Sequence, residues 1–409
     1  MKLFLGIRWL ESTYTLNDVS EAIQVIINDF DIPNTKILSV CHGESVSLKA
    51  AVHQLFGEEK SVLCLAHVLH VIVSDALDDV NSPTLKNVVS QVETAVEYIN
   101  QNYSRFSDQS VFTEEEAESI LRLFEYFDDG VPTKKNIFCL ILDNVLRLLP
   151  CLVRVIENEF EEIPKAFTNL NVEVLTEISQ LLSSVEEATN ELSANACLTG
   201  SIIIPMINCV KSFLQRIPLV YDVSKLFREK LLWSLEARAQ EFLMNPLLRR
   251  ATFCDPRFKK MYISSGIVNS VIEECCGEVR QNLQACSAVP LEEPASVTAL
   301  WRAHDENMAK QKTNDEMPYE FQVYLEQMLL PRTADPFQFW LQNQGCMPSL
   351  SRIALKNLCV CGTSISVEKS VTVLKEIFSD DRFCWTKEHI TQRLFLNQLD
   401  KEYWKKPNG

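Results

Sequence analysis

The hydrophobic period of this chain changes once, near residue 84, and that change limits what it can fold into. Before it, short apolar runs alternate with amphipathic stretches. Residues 2–9 have the pattern of a strand, 16–30 of a helix, 35–41 of a strand, 44–56 of a helix, 61–64 of a strand and "LAHVLHVIVSDAL" of a helix. Such βαβαβα order implies a small parallel sheet flanked by helices. "TLND" supplies the start signal of the first helix, with Asp18 close to its beginning. From about 84 to 330 nearly every segment has helical spacing, as in "NIFCLILDNVLRLLPCLVRVIENEF", "VLTEISQLLSSVEEATNELS" and "IIIPMINCVKSFLQRI". The stretch 286–317 gathers Pro, Ser and charges and reads as the least ordered. Residues 335–409 then form a compact block of four helical segments with strong apolar stripes. The expected fold is therefore mixed α and β, mostly α, with divisions at 1–83, 84–330 and 335–409.

Composition narrows the function classes. With 46% hydrophobic residues and only 10 Gly among 409, the chain can bury a sizeable helical core. No stretch approaches twenty uninterrupted apolar residues, so no membrane span is expected. The opening "MKLFLGIRWLES" is interrupted by Arg8, Trp9 and Glu11 and reads as a strand, not as a leader. The 14 Cys are scattered without a framework and read as reduced thiols, many of them buried. A net charge of −16 opposes a phosphate backbone, so direct DNA binding is not expected.

Few motifs carry chemistry by themselves. The chain has no phosphate-binding Gly loop, dinucleotide fingerprint or nucleophile elbow. "CLAHVLH" spaces Cys64, His67 and His70 by three, which puts the two imidazoles on one helical face. Parallel strands would carry Cys41 and His42 toward Cys64. A Cys/His zinc site from these five residues is one reading, and packing beneath the helix is the other. Asp255 in "CDPRFKK" lies in a Pro-containing turn and reads as a helix cap.

Six stretches, in order, resemble the hAT superfamily of transposases and the BED-finger proteins domesticated from them. They are "LGIRWLESTYTLNDVSEAI", "ILSVCHGESVSLKAAVHQL", "CLAHVLH", "VPTKKN", "ATFCDPRFKK" and the closing "DPFQFWLQNQGCMPSLSRIALKNLCVCGTSISVEKSV" with "DDRF" and "RLFLNQL". The resemblance implies an RNase H-like core, here incomplete, interrupted by a large helical insertion and closed by a helical C-terminal dimerisation region. In active members three acids hold two divalent metals, which need hard oxygen ligands flanking the scissile phosphate. Carried over by position, the first acid falls upstream of Met1, the second falls on His42, and the third survives as Glu368. The family's DNA-end Arg-Trp pair aligns with Lys134 and Lys135, which removes the aromatic stacking surface. His70 stands where the family has Asn, and the BED finger has no counterpart in these residues.

The resemblance thus implies a catalytically inactive, domesticated protein with no cofactor. It would reside in the nucleus and act in transcription or chromatin regulation, pairing with itself or a related hAT-family chain. Phe337, Phe339, Trp340, Leu350, Leu355 and Leu374 are the candidate interface residues, some of which must instead be core. The alternative is a residual metal-dependent nuclease or strand transferase that pairs Glu368 with Glu44 or another acid. An adaptor tethered to DNA through a partner is a third reading.

Overall fold

The computed structural model describes residues 13–77, 83–101, 165–194, 199–286, 319–364 and 386–398, with scattered positions in 5–10 and 142–153. Among them the chain is mostly helical, as expected. Helices α1 (Leu16–Asp29), α2 (Val46–Phe56) and α3 (Leu65–Leu77) interleave with strands β1 (Val40–His42) and β2 (Ser61–Leu63). There follow α4 (Pro83–Gln101), α5 (Lys165–Thr168), α6 (Val172–Ala194), α7 (Ile203–Arg216) and α8 (Asp222–Met244). The remainder comprises α9 (Pro246–Cys254), α10 (Ser265–Cys286), α11 (Tyr319–Glu326), α12 (Pro336–Gln342), α13 (Pro348–Leu358) and α14 (Lys387–Gln398). Contacts divide the chain into two compact units. The first comprises Met1–Leu198, Met206–Phe242 and Thr363–Gly409, the second Thr199–Pro205 and Leu243–Gly362. The stretch 286–317 lies almost wholly outside the described residues.

In the first unit, α1 starts where the sequence signals it. Thr15 and Asp18 form a capping box: the Thr15 amide donates to Asp18 Oδ2 at 2.6 Å and the Asp18 amide to Thr15 Oγ1 at 3.4 Å. Its apolar stripe packs on α2, burying Ile27, Val52 and Phe56. β1 is shorter than its apolar run, and Asn34–Lys36 takes a 3-10 turn ahead of it. They pair in parallel, with Val40 opposite Ser61, Cys41 opposite Val62 and His42 opposite Leu63. The crossover between them is α2, which ends at Gly57 with φ +90°, a conformation that favours a residue without Cβ. Helix α3 is apolar around most of its circumference and packs on α6, and so it is buried on more than one face.

The second unit is organised around the end of α9. Asn245 opens that helix, its side chain accepting from the amides of Leu247 and Leu248, with Pro246 in the first turn. The other end is buried, which leaves carbonyls without helical partners. Tyr324 Oη donates to the Phe253 carbonyl at 2.8 Å, and Trp340 Nε1 to the Cys254 carbonyl at 2.8 Å. Asp255 follows, fully buried, and accepts from the Arg257 amide at 3.0 Å, from Arg257 Nε and Nη2 at 2.9 and 2.7 Å, and from Ser201 Oγ at 2.6 Å. Two residues after Arg257, the buried Lys259 sends its ammonium group to the carbonyls of Tyr324 and Gln327 at the end of α11. Glu320 of α11 in turn accepts from the Leu350 amide at 2.7 Å at the start of α13. Phe253, Phe321, Tyr324, Trp340 and Leu350 fill the core these bonds enclose. Gly200 and Gly362 meet at a close backbone approach, where a Cβ on Gly362 would lie 2.6 Å from the Ile203 side chain and 3.1 Å from Gly200 Cα.

Removing the Asp255 carboxylate would leave Arg257 partly buried without its counter-charge and the Ser201 hydroxyl short of an acceptor. Asp255→Ala should therefore cost on the order of 3–5 kcal/mol, read as a lowered midpoint in urea unfolding of the full chain. Asp335→Ala removes only the exposed cap that accepts from the Phe337 amide. It should cost about 1 kcal/mol.

Candidate functional site at the strand ends

The C-terminal ends of parallel strands are where an open α/β sheet presents ligand-binding groups, and here two turns meet a third segment. β1 runs into Gly43 and Glu44, and β2 runs through Cys64 directly into α3. The Cys64 amide donates to the His42 carbonyl at 2.8 Å, extending the pairing by one bond. Because side chains alternate along a strand, Cys41 and His42 face opposite ways. Cys41 lies on the face of Cys64 and hydrogen-bonds its sulfur, and His67, one turn along α3, does likewise. The third segment is Thr363–Ser364. The Ser364 amide donates to Cys64 Sγ at 3.2 Å, Thr363 Oγ1 lies 3.4 Å from that sulfur, and Ser364 Oγ lies 3.5 Å from His67 Nδ1. The His67 ring also covers Gly43, where an added Cβ would sit 3.3 Å from Nε2. Hydrogen bonding from Cys41, with smaller parts from His67 and Ser364, outweighs burial and draws the Cys64 thiol far below its ordinary pKa.

His42 is spent on structure. It is 3% exposed, and its Nε2 pairs with Ser61 Oγ at 2.8 Å while Nδ1 lies 2.7 Å from the Gly43 carbonyl. Burial, with Lys49 and His53 nearby, lowers its pKa and keeps it neutral. His70 is likewise pushed down by burial, and its Nε2 is buried without a hydrogen-bond partner. Of the five residues read as a zinc set, Cys41, Cys64 and His67 converge, while His42 uses both nitrogens elsewhere. Among the described residues, no group of three or more His, Cys, Asp or Glu is placed to hold a metal ion.

Glu44, the first acid of the turn, is also committed. Arg238 of α8 pairs with it through Nη1 and with Asp75 of α3 through Nη2 at 2.8 Å, and Ser234 Oγ donates to Asp75 at 3.1 Å. One guanidinium thus ties the β1 turn to α3, a bidentate role that suits arginine. Nothing local in the sequence marks Arg238, which lies 194 positions from Glu44. Glu368, Lys134, Lys135 and Leu374 lie outside the described residues. Of the other interface candidates, Trp340 and Leu350 are fully buried in the second unit's core, and Phe337, Phe339 and Leu355 pack half-buried against it.

With this geometry in place, the chain can be set beside known proteins. Residues 320–399 match the hAT family C-terminal dimerisation region. The chain is also 22% identical over 364 residues to zinc finger BED domain-containing protein 4 from Homo sapiens. That alignment covers 83% of this chain and 29% of the relative, so the chain spans less than a third of that protein's length. The likeness to the hAT family is thus carried by the C-terminal region.

His42 and His70 both have folded pKa values below the ordinary 6.5. The unfolded chain therefore takes up protons that the folded chain refuses. The stability their neutral forms maintain is complete above pH 6.5, erodes as pH falls below it, and levels off once the lowered folded values are passed. Urea midpoints measured from about pH 7.5 down to 5.5 should fall, and His42→Gln should make that decline shallower.

Proposed function

We propose that this chain is a catalytically inactive, domesticated hAT transposase-like protein that acts as a self-associating interaction module. The observation that carries the reading is the dimerisation region over 320–399. The strand-end geometry supports the loss of catalysis. We read the parallel β1–α2–β2 unit as part of an RNase H-like core, whose second acid position is held by His42. A neutral imidazole bonded through both nitrogens supplies neither the charge nor the hard oxygen that Mg²⁺ requires. Glu44 cannot readily take its place, because Arg238 already neutralises it. The likeness to a BED-finger protein supports a nuclear setting in transcription or chromatin regulation, with the partner a second copy or a related hAT-family chain. The acidic charge argues against direct contact with DNA. No described helix is long and apolar enough to cross a membrane.

Within the matched region Trp340 and Leu350 are internal, so a partner must use other side chains. Met328 is 90% exposed and Leu341 50% exposed, both apolar and free to be covered. Sedimentation velocity of the full chain at micromolar concentration should give a dimer. Leu341→Asp or Met328→Asp should weaken it by roughly tenfold or more, since each removes a buried apolar side chain worth about 1.5 kcal/mol or more. A chain that remains monomeric across the concentration range would contradict the reading.

A further inference from the structure

Helix α8 turns one face into the first unit and leaves the opposite face uncovered. The inward stripe, Ser224, Phe227, Leu231, Leu235, Ala239 and Phe242, is buried. Trp233 lies two positions from both Leu231 and Leu235, about 200° around the helix axis from each, and is 71% exposed. Tryptophan is highly buried on average, so an indole standing this far into solvent needs a reason. The charges around it point to one. Glu229 lies one turn before Trp233 and Glu236 one turn after, on the same face. Every exposed charged residue of α8 is an acid, namely Asp222, Glu229, Glu236 and Glu241. The bases of the helix are half-buried. Lys225 pairs with Asp222, Arg228 donates to the Ile217 carbonyl, and Arg238 pairs with Glu44 and Asp75. Among the described residues no cation is paired with Glu229. Glu236 meets Lys211 at 2.7 Å, with both side chains open to water. An exposed pair of this kind is weak and exchanges readily for another cation.

We propose that the outward face of α8 binds a basic peptide segment, with an arginine of that segment stacked on Trp233 and cationic neighbours at Glu229 and Glu236. The indole face is the best aromatic partner for a cation, and a planar guanidinium can lie flat on it while its N–H groups reach carboxylates at either side. Glu229 and Glu236 stand about 10 Å apart along the helix, roughly the span of three residues of extended chain. A partner in that conformation can therefore meet both acids while its middle covers the indole. An acidic peptide or a phosphate backbone would meet like charge here. So would a second copy: a two-fold contact centred on Trp233 sets the acids of one α8 against those of the other. The face lies outside residues 320–399, so it does not depend on the self-association proposed above.

The test is fluorescence anisotropy of a labelled peptide in which arginine alternates with glycine, titrated with the full chain at about 0.15 M salt. Saturable binding is expected, and a glutamate–glycine peptide of the same length should not bind. Trp233→Ala should weaken binding about tenfold, and Trp233→Leu, which keeps an apolar side chain without a π face, about as much. Glu229→Gln and Glu236→Gln should each weaken it as well. Glu273→Gln removes the same charge from an exposed position on α10 and should leave binding unchanged. Because Trp233, Glu229 and Glu236 are exposed, the urea midpoint of each variant should match that of the parent chain. Absence of saturable binding would overturn the proposal. Binding that survives Trp233→Ala would show attraction to net charge alone and would overturn it too. Loss of self-association in Trp233→Ala would assign the face to a second copy, with the same consequence.

Discussion

A helix that ends inside a protein must find donors for its last carbonyls, and the second unit is built on how α9 meets that demand. Its two terminal carbonyls are taken by the side-chain donors of Tyr324 and Trp340, aromatic residues with one polar atom each. The next residue, Asp255, gathers Arg257 and Ser201 around a buried carboxylate. Lys259 then returns the arrangement by capping α11, the helix that carries Tyr324. Within a few residues, the "CDPRFKK" turn thus fixes the ends of two helices and places the aromatic core between them. An unpartnered charge at this depth would be strongly destabilising, which ties Asp255 and Arg257 to each other. That dependence gives the turn a structural reason to keep its residues, separate from any chemistry.

The first unit is arranged differently. Its β1–α2–β2 crossover brings three segments together where a sheet of this kind offers a reactive site. The side chains found there are imidazole, thiol and hydroxyl, and Glu44, in the turn after β1, is bound to Arg238. The polar groups at this point mostly satisfy one another, as groups holding a fold do. The exception in kind is Cys64, whose converging donors favour a charge on sulfur.

Much of this was legible in the sequence where the determinants are local. The Thr15–Asp18 box, the interleaved period of residues 35–77 and the Pro-initiated helices at 336 and 348 all depend on neighbours within a few positions. Cys41 and Cys64 were expected to approach because parallel pairing follows from a βαβ unit. His42 was expected to approach as well, but strand alternation turned it to the other face. What remained hidden are bonds between distant residues: Arg238 to Glu44, Ser364 to Cys64, Lys259 to the α11 carbonyls. A lysine or arginine in a polar stretch carries no local mark of the carbonyl or carboxylate it will meet. Trp340 and Leu350 have the same apolar stripe whether they face the core or a partner, and only packing decides between the two.

The loss of the power to cut or join DNA at the strand-end site is a proposal. Its most direct test is incubation of the purified full chain with hairpin or nicked DNA in Mg²⁺ or Mn²⁺. The account predicts no cleavage and no strand transfer above a metal-only control. Cleavage that requires the metal and is abolished by Glu368→Gln would contradict it.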